Sequence, residues 1–363
     1  MGADGFGQRP FARAGFPPNG LYRSSCQSLS GEYNMGVRNL KKDKLLIGMV
    51  LAVSVAGVLY FGYRAIRDDA KKNQQNPFAY DIQTYEASGA DLVRYAEARR
   101  IPIVLPMVYG IAAGPEDRIY VSGDDSVLVF DKDGSSRFSF TTHMPVRCLA
   151  IDKNHDVYLG MEDHIEVFDQ KGTRQARWES LGEEAIITSI AITTNHVFVA
   201  DAGNKIVWKF NKTGTRLQRI GDKNEAKDIP GFIIPSPYFD VAVDSDGFLW
   251  VANTGRHCLE NYTIDGDFRT SWGEFGMDIE GFGGCCNPTH FVILEDDSFV
   301  TSEKGLARVK VYNRIGNLVS VVAPPEEFIE GTVGLDLAVD SAQRIYVLDP
   351  KQKLVRIFAK KKP

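Results

Sequence analysis

The chain has 363 residues, of which 44% are hydrophobic, 25% are charged and 34 are glycine, a balance that fits an ordered protein rich in turns. Its five cysteines are too few for a fold framed by disulfides. The net charge of −5 conceals an asymmetry: residues 1–100 carry 14 Lys and Arg against 9 Asp and Glu, and the remainder 28 against 38, so the acidic C-terminal region is poorly matched to phosphate backbones and nucleic acid is not an expected partner.

Residues 1–44 read as a disordered, basic segment, the first 34 being rich in Gly, Pro, Arg and Ser. Met35 opens MGVRNLKKDK, a more usual start for an anchored protein, and reads as an alternative site of translation initiation. The opening Met-Gly is not a myristoylation signal, because the sixth residue is Phe6 rather than Ser or Thr.

Residues 45–63 (LLIGMVLAVSVAGVLYFGY, opening at Leu45 and closing at Tyr63) hold no charge and as a helix span roughly 28 Å, close to the hydrocarbon thickness of a bilayer. A transmembrane helix is therefore expected here. Bulky and charged residues follow it (Tyr60, Phe61, Tyr63, Arg64, Arg67) instead of a small-x-small cleavage site, which favours an uncleaved anchor. Basic residues flank both ends equally; the further Arg9, Arg13 and Arg23 tip the N-terminus inward. The expectation is a single-pass protein of the cell's inner (plasma) membrane, with its large C-terminal domain on the periplasmic or extracellular side. Residues 64–100 read as a juxtamembrane linker with a short helix over DLVRYAEARR.

From residue 101 to 360 one motif returns six times. An apolar stretch, a polar turn, a short strand ending near Asp or Asn and a Val/Phe-rich strand recur in GIAAGPEDRIYVSGDDSVLVFDKDG, CLAIDKNHDVYLGMEDHIEVFDQKG, SIAITTNHVFVADAGNKIVWKFNKTG, DVAVDSDGFLWVANTGRHCLENYTIDG, FVILEDDSFVTSEKGLARVKVYNRIG and DLAVDSAQRIYVLDPKQKLVRIF. A strand-built repeat of roughly 40 to 50 residues marks an all-β, six-bladed β-propeller. Asp131, Asp169 and Asp265 with Gly134, Gly172 and Gly266 predict tight turns between outer strands, and Asp201, Asn253 and Asp349 predict caps for the loops after the second strands. The last repeat supplies three strands only, so residues 101–105 (IPIVL) are expected to complete the final blade and close the ring.

The blade VAVDSDGFLWVANTGRHCLENYTIDGDF, and less closely IAITTNHVFVADAGNKIVWKFNKTG and LAVDSAQRIYVLDPKQKLVRIF, resemble the NHL family of propellers over roughly residues 107–358. The resemblance implies fold more than function, since the family spans membrane-tethered sensors, protein or RNA binders and a few metal-dependent lyases.

Aligning the blades puts Tyr109, Arg147, Thr188, Phe239, His290 and Leu335 at equivalent positions opening the inner strands, followed by Gly110, Cys148, Ser189, Asp240, Phe291 and Asp336. Arg147, Asp240, His290 and Asp336 should meet at one mouth of the axial channel, with Glu303 and Lys304 on a neighbouring loop, as a site for a small polar ligand or a peptide. The alternative is a channel filled by satisfied polar side chains. The amidating lyases of this fold hold zinc with three channel histidines; only His290 matches here, which argues against that chemistry. A lactonase-like set of Asp240, Asp336, Glu303 and Asn253 matches by residue type alone.

The segment GFGGCCNPTH (281–290) departs most from an ordinary repeat. Cys285 and Cys286 stand side by side, and His257 and Cys258 occupy the equivalent face of the fourth blade. A disulfide from Cys258 to one of them, a vicinal disulfide, a soft-metal or redox site and free buried thiols are all open. No metal motif is present, so no cofactor is expected beyond a metal ion at these residues. The sequence reading is thus a membrane-anchored, non-enzymatic binding or scaffolding module with a protein partner in a membrane complex. Its alternative is a redox or metal-binding accessory protein, or a propeller enzyme of lyase or hydrolase type, working at Cys285, Cys286 and His290.

Overall fold

A computed structural model describes residues 40–73, 91–227 and 229–362. Two compact units are present, residues 1–79 and 80–363. In the first, helix α1 (Leu40–Asn73) runs for 34 residues, roughly 51 Å. Its side chains are described over residues 48–64, and every large apolar one among them is exposed, from Met49 to Tyr63. Among the described residues no helix is long and apolar enough to cross a membrane. Of the expected disordered segment 1–44, residues 1–39 lie outside the described residues and residues 40–44 are helical, forming the start of α1. Of the expected linker 64–100, residues 74–90 lie outside the described residues and residues 64–73 continue α1.

In the second unit, the described residues form 24 strands arranged in six four-stranded antiparallel sheets. Five blades are consecutive in sequence. Blade one holds β2 (Val108–Ala113), β3 (Ile119–Gly123), β4 (Ser126–Phe130) and β5 (Ser136–Thr141); blade two β6 (Cys148–Ile151), β7 (Val157–Gly160), β8 (Ile165–Phe168) and β9 (Arg174–Arg177). Blade three holds β10 (Ile187–Ile192), β11 (His196–Asp201), β12 (Ile206–Asn211) and β13 (Arg216–Ile220). Blade four holds β14 (Val241–Val243), β15 (Leu249–Asn253), β16 (Cys258–Tyr262) and β17 (Phe268–Trp272); blade five β18 (His290–Ile293), β19 (Phe299–Glu303), β20 (Arg308–Tyr312) and β21 (Leu318–Ala323). Blade six takes β22 (Asp336–Val339), β23 (Ile345–Asp349) and β24 (Leu354–Lys360) from the C-terminus and β1 (Tyr95–Pro102) from the start of the unit. The inner strands touch in a closed circuit, β2 to β6, β10, β14, β18, β22 and back to β2. The fold is a six-bladed β-propeller.

The two middle strands of a blade are buried on both faces, so they read as near-continuous apolar runs. Val157–Gly160, Leu249–Asn253 and Ile345–Asp349 are buried at every position. The outer strands face water and alternate less; β9 has no buried residue. Apolar clusters lie between blades, where Phe140 meets Phe168 at 5.3 Å and Trp250 meets Phe299 at 4.7 Å between ring centroids. The expected turns form. Gly134, Gly172 and Gly266 have φ of 79°, 80° and 82°, a region that costs a Cβ-bearing residue most. Two of the expected caps form: Asp201 accepts the Asn204 N–H at 3.1 Å and Asp349 the Gln352 N–H at 2.9 Å. The Asn253 side-chain oxygen instead accepts the Ile233 N–H at 2.9 Å, in the connection that precedes its blade, and does not cap the loop after its strand.

Closure differs from expectation in extent. The pairing strand is Tyr95–Pro102, antiparallel to β24, and does not reach residue 105. Residues 95–100 of DLVRYAEARR, expected to be helical, are strand. The edge of β24 offers unpaired N–H and C=O groups, and satisfying them outweighs the local helix preference of Ala, Glu and Arg. Tyr95 and Ile101 turn inward, at 5% and 3% exposure. Across this seam Arg356, fully buried, donates to Glu97 and to the Glu327 carboxylate at 2.7 Å, and also to the Glu327 carbonyl at 2.6 Å. Its guanidinium lies between the rings of Phe328 and Phe358, at 5.2 and 5.1 Å.

Breaking a buried ion pair from one side leaves the other charge without its partner. Arg356→Ala is expected to lower unfolding free energy by about 3 kcal/mol, measured by denaturant titration, whereas Arg137→Ala, at an exposed pair with Asp131, should change it by less than about 1 kcal/mol.

Candidate functional site

Strand order fixes which residues meet at the axis. In a blade of four antiparallel strands the 2–3 turn and the connection to the next blade share one end. The residues opening each inner strand lie at that end. Arg147 and Asp240 stand one residue before β6 and β14, while His290 and Asp336 open β18 and β22. Four of the sequence candidates are thereby placed around the axis.

The two carboxylates hold blades together. Asp240 accepts the Val241 N–H at 2.9 Å and, across the seam, the Phe291 N–H of blade five at 2.7 Å. Asp336 repeats the device, accepting the Leu337 N–H at 2.8 Å and the Ile111 N–H of blade one at 2.8 Å. Hydroxyls serve other seams: Thr188 donates to the Phe239 carbonyl at 2.6 Å and Ser302 to the Leu335 carbonyl at 2.6 Å. His290 completes the group, its Nδ1 lying 3.4 Å from Asp336 Oδ1 and 3.8 Å from Asp240 Oδ2. Burial pushes the Asp240 carboxyl up, against the pull of His290, Ser189 and two backbone N–H groups. Burial pushes Asp336 further, to about 6, with His290 opposing and Asp240 reinforcing. Cys148, on the same channel wall, is raised well above the ordinary thiol range by burial and then by both carboxylates.

His290 divides two spaces. On one side it lines, with Asp240, Asp336 and Cys148, a channel cavity of about 310 Å³. On the other it lines a mouth cavity of about 460 Å³ with Tyr109, Arg147, Thr188, Tyr238, Met107, Ile186 and Val333. Arg147 lies over the Tyr109 ring at 5.1 Å, and its nearest carboxylate, Glu162, is 3.9 Å away. Tyr238 meets His290 edge-on at 5.8 Å, and the Lys304 ammonium lies over the Tyr238 ring at 4.7 Å. Tyr238 was not among the sequence candidates; the signal for it is the aromatic immediately preceding the Phe239-Asp240 pair.

Glu303 does not reach the mouth. It is buried at 1% exposure, paired with Arg308 at 2.8 Å and Lys310 at 2.7 Å, and also accepts the Gly283 N–H at 3.2 Å. Burial lowers the Lys310 ammonium to about 8, with Glu303 opposing. The resemblance of Asp240, Asp336, Glu303 and Asn253 to a lactonase set ends there, because Asn253 is equally committed, to Ile233 and to Glu260 at 2.9 Å.

Nor do His257, Cys258, Cys285 and Cys286 converge. Among the described residues no three His, Cys, Asp or Glu side chains are grouped to hold a metal ion. Of the readings left open for them, the structure has free thiols at Cys148, Cys258, Cys285 and Cys286. Cys258 turns inward to Glu260 at 3.9 Å, and burial pushes its thiol up to about 12. His257 packs against the Phe275 ring at 5.1 Å, with burial lowering its imidazole. The neighbouring thiols of Cys285 and Cys286 lie 3.4 Å apart.

No protein-family model matches the chain, so the likeness to NHL propellers rests on the motifs themselves. Among solved structures, a protein of unknown function from Bacteroides thetaiotaomicron is similar at 15% identity and a TM-score of 0.56, over 76% of this chain and 74% of that one. A streptogramin B lyase is similar at 12% identity and 0.53, over 74% and 98%. The WD40 β-propeller domain of Doa1 is similar at 14% and 0.50, over 70% and 79%. At such identities the likeness is one of fold.

The folded chain holds the Asp336 proton up to about pH 6, whereas the unfolded chain releases it near the ordinary 3.8. Between those values the folded state binds the extra proton, so stability attributable to Asp336 falls as pH rises through that window. The difference in unfolding free energy between wild type and Asp336→Asn should therefore shift against the wild type from pH 4 to above pH 6, read from denaturant titrations at each pH. A flat difference would mean that Asp336 ionises in the folded state as in the unfolded one.

Proposed function

We propose that this protein is a membrane-anchored, non-enzymatic binding module whose propeller recognises a cationic, partly apolar segment of a partner protein on its mouth face. One observation carries the reading. Each of the six connections leading into an inner strand exposes a large apolar side chain: Met107, Met144, Ile186, Ile233, Phe275 and Val333. Val104 and Ile329 are exposed on the same connections. Single exposed apolar residues are ordinary, but at least one on every connection at the same end of the ring is a pattern of the kind that marks a docking surface. The opposite rim offers Ile315, and the outer strands Leu217 and Val319.

Charge selects the partner. The six connections (residues 103–107, 142–147, 178–186, 221–239, 273–289 and 324–335) hold 12 Asp and Glu against 3 Lys and Arg. Such a surface repels anionic lipid headgroups and nucleic acid and attracts cationic protein. Inside the ring, Arg147, Lys304, Tyr109 and Tyr238 supply a polar and aromatic centre where one side chain of the partner can be held. The alternative of a metal site or a lyase-type site has the weaker support, since the donors it needs do not converge.

The anchor, and with it a plasma-membrane location with the propeller outside, rests on residues 45–63 and on the exposure of every described apolar side chain of α1. A soluble helix buries one apolar face, whereas this one is bare all round.

A photo-reactive residue replacing Ile186 or Val333 in cells is expected to cross-link one protein partner, whereas the same group at Ile315 gives no such adduct. Adducts at Ile315 alone, or no adduct at the mouth face, would overturn the docking surface. Separately, the full chain should stay in the membrane fraction through alkaline carbonate and leave it only with detergent; a version lacking residues 45–63 should be recovered without detergent.

A further inference from the structure

The segment that departs most from the repeat carries two adjacent thiols, and the structure holds it by both flanks. Upstream, Arg308 donates to the carbonyls of Asp278 and Gly281, Lys310 to those of Ile279 and Gly281, and Tyr312 to that of Glu280. Downstream, the Asn287 side chain accepts the Lys304 N–H at 2.9 Å and donates to the Lys304 carbonyl at 2.9 Å. Cys285 and Cys286 are thus presented on a fixed bridge, with their sulfurs 3.4 Å apart. Their environments differ: Cys285 is exposed and Cys286 is 2% exposed, within reach of the Ser236 hydroxyl.

We propose that Cys285 and Cys286 form a reversible redox pair that closes to a vicinal disulfide by exchange with a small-molecule disulfide. The exposed Cys285 thiolate attacks one sulfur of the incoming disulfide, forming a mixed disulfide and releasing one small thiolate. Cys286, losing its proton, then attacks Cys285 Sγ and displaces the second small thiolate. One bond forms between the protein sulfurs and the bond of the small disulfide is broken. The protein gives up two electrons, and its two thiol protons end on the two released thiols. Bonding requires the sulfurs to approach to about 2.05 Å, a movement of little more than an ångström from where they stand.

The environments set the order of events. An exposed sulfur meets the external disulfide, and a buried neighbour resolves the mixed species before a second small molecule can reach it. The other described cysteines are unsuited, Cys148 being walled into the channel and Cys258 buried beside Glu260. The pair also adjoins the mouth. Ser236, beside Cys286, accepts from Lys304 at 3.0 Å, and Lys304 covers the Tyr238 ring.

The test equilibrates the full chain, in detergent, with graded mixtures of reduced and oxidised glutathione, followed by acid quench, alkylation of free thiols and peptide mass analysis. The expected result is a peptide spanning Cys285 and Cys286 that has lost both alkylatable thiols and two hydrogen masses, carries no glutathione and reverts with excess reductant. Cys148 and Cys258 should remain alkylatable. Cys286→Ser should instead accumulate glutathione on Cys285, and Cys285→Ser should show neither product, with both variants matching the wild type by circular dichroism. The proposal is overturned if wild-type Cys285 rests as a glutathione adduct beside a free Cys286, if Cys258 is found as the bridging partner, or if the peptide stays fully reduced in the most oxidising mixture. None of these readouts depends on a partner being bound, so they are independent of the docking surface.

Discussion

Everything in this propeller depends on the ring being closed by β1 pairing with β24. Each blade buries its two faces against its neighbours, so a row of blades has two bare ends, and only a circle removes both. Joining strands from opposite ends of the domain completes the last sheet and satisfies the backbone edge of β24 in one step. Arg356 shows how far the chain commits to that seam. A guanidinium is buried completely, at a desolvation cost that only multiple charge-assisted hydrogen bonds and two flanking aromatic rings can offset.

The axis solves a related problem with smaller groups. Inner strands converge where there is little room for apolar side chains, and their first N–H groups would point into the seam unpaired. Asp240 and Asp336 each accept one N–H from their own strand and one from the adjoining blade. The same carboxylates, brought near each other by the narrow ring, must be held in burial, which raises both and draws His290 between them. The polar channel is therefore first a structural lock. What stays open to solvent is the rim, where Arg147, Lys304, Tyr109 and Tyr238 stand near the exposed apolar side chains of the connections.

Irregularity in the repeat falls where the rim is built. Blade five has a long connection over residues 273–289, and its middle strands give up three buried positions to Glu303, Arg308 and Lys310, the last two of which hold that connection's carbonyls. A buried cluster of this kind is a poor source of stability but a good way to fix a loop in one place. Its consequence is a dithiol at a defined position beside the mouth.

The sequence by itself determined the architecture: six repeats, the turns at Gly134, Gly172 and Gly266, the caps at Asp201 and Asp349, and the need for an N-terminal strand to finish the last blade. These follow from local chemistry, since period-two burial and positive φ leave their mark residue by residue. The ring positions of Arg147, Asp240, His290 and Asp336 were legible too, because blade alignment converts sequence spacing into angle around the axis. Tertiary structure alone decided the rest. Residues 95–100 have the composition of a helix and became a strand because the edge of β24 needed a partner. Glu303 has the position of a mouth residue and the fate of a core one, because two cations five and seven residues further along the chain, Arg308 and Lys310, point back at it from the neighbouring strand. Which of two adjacent cysteines faces water, and which exposed apolar side chains share one rim, depends on how loops from different blades pack, and that is set by contacts between residues far apart in the chain.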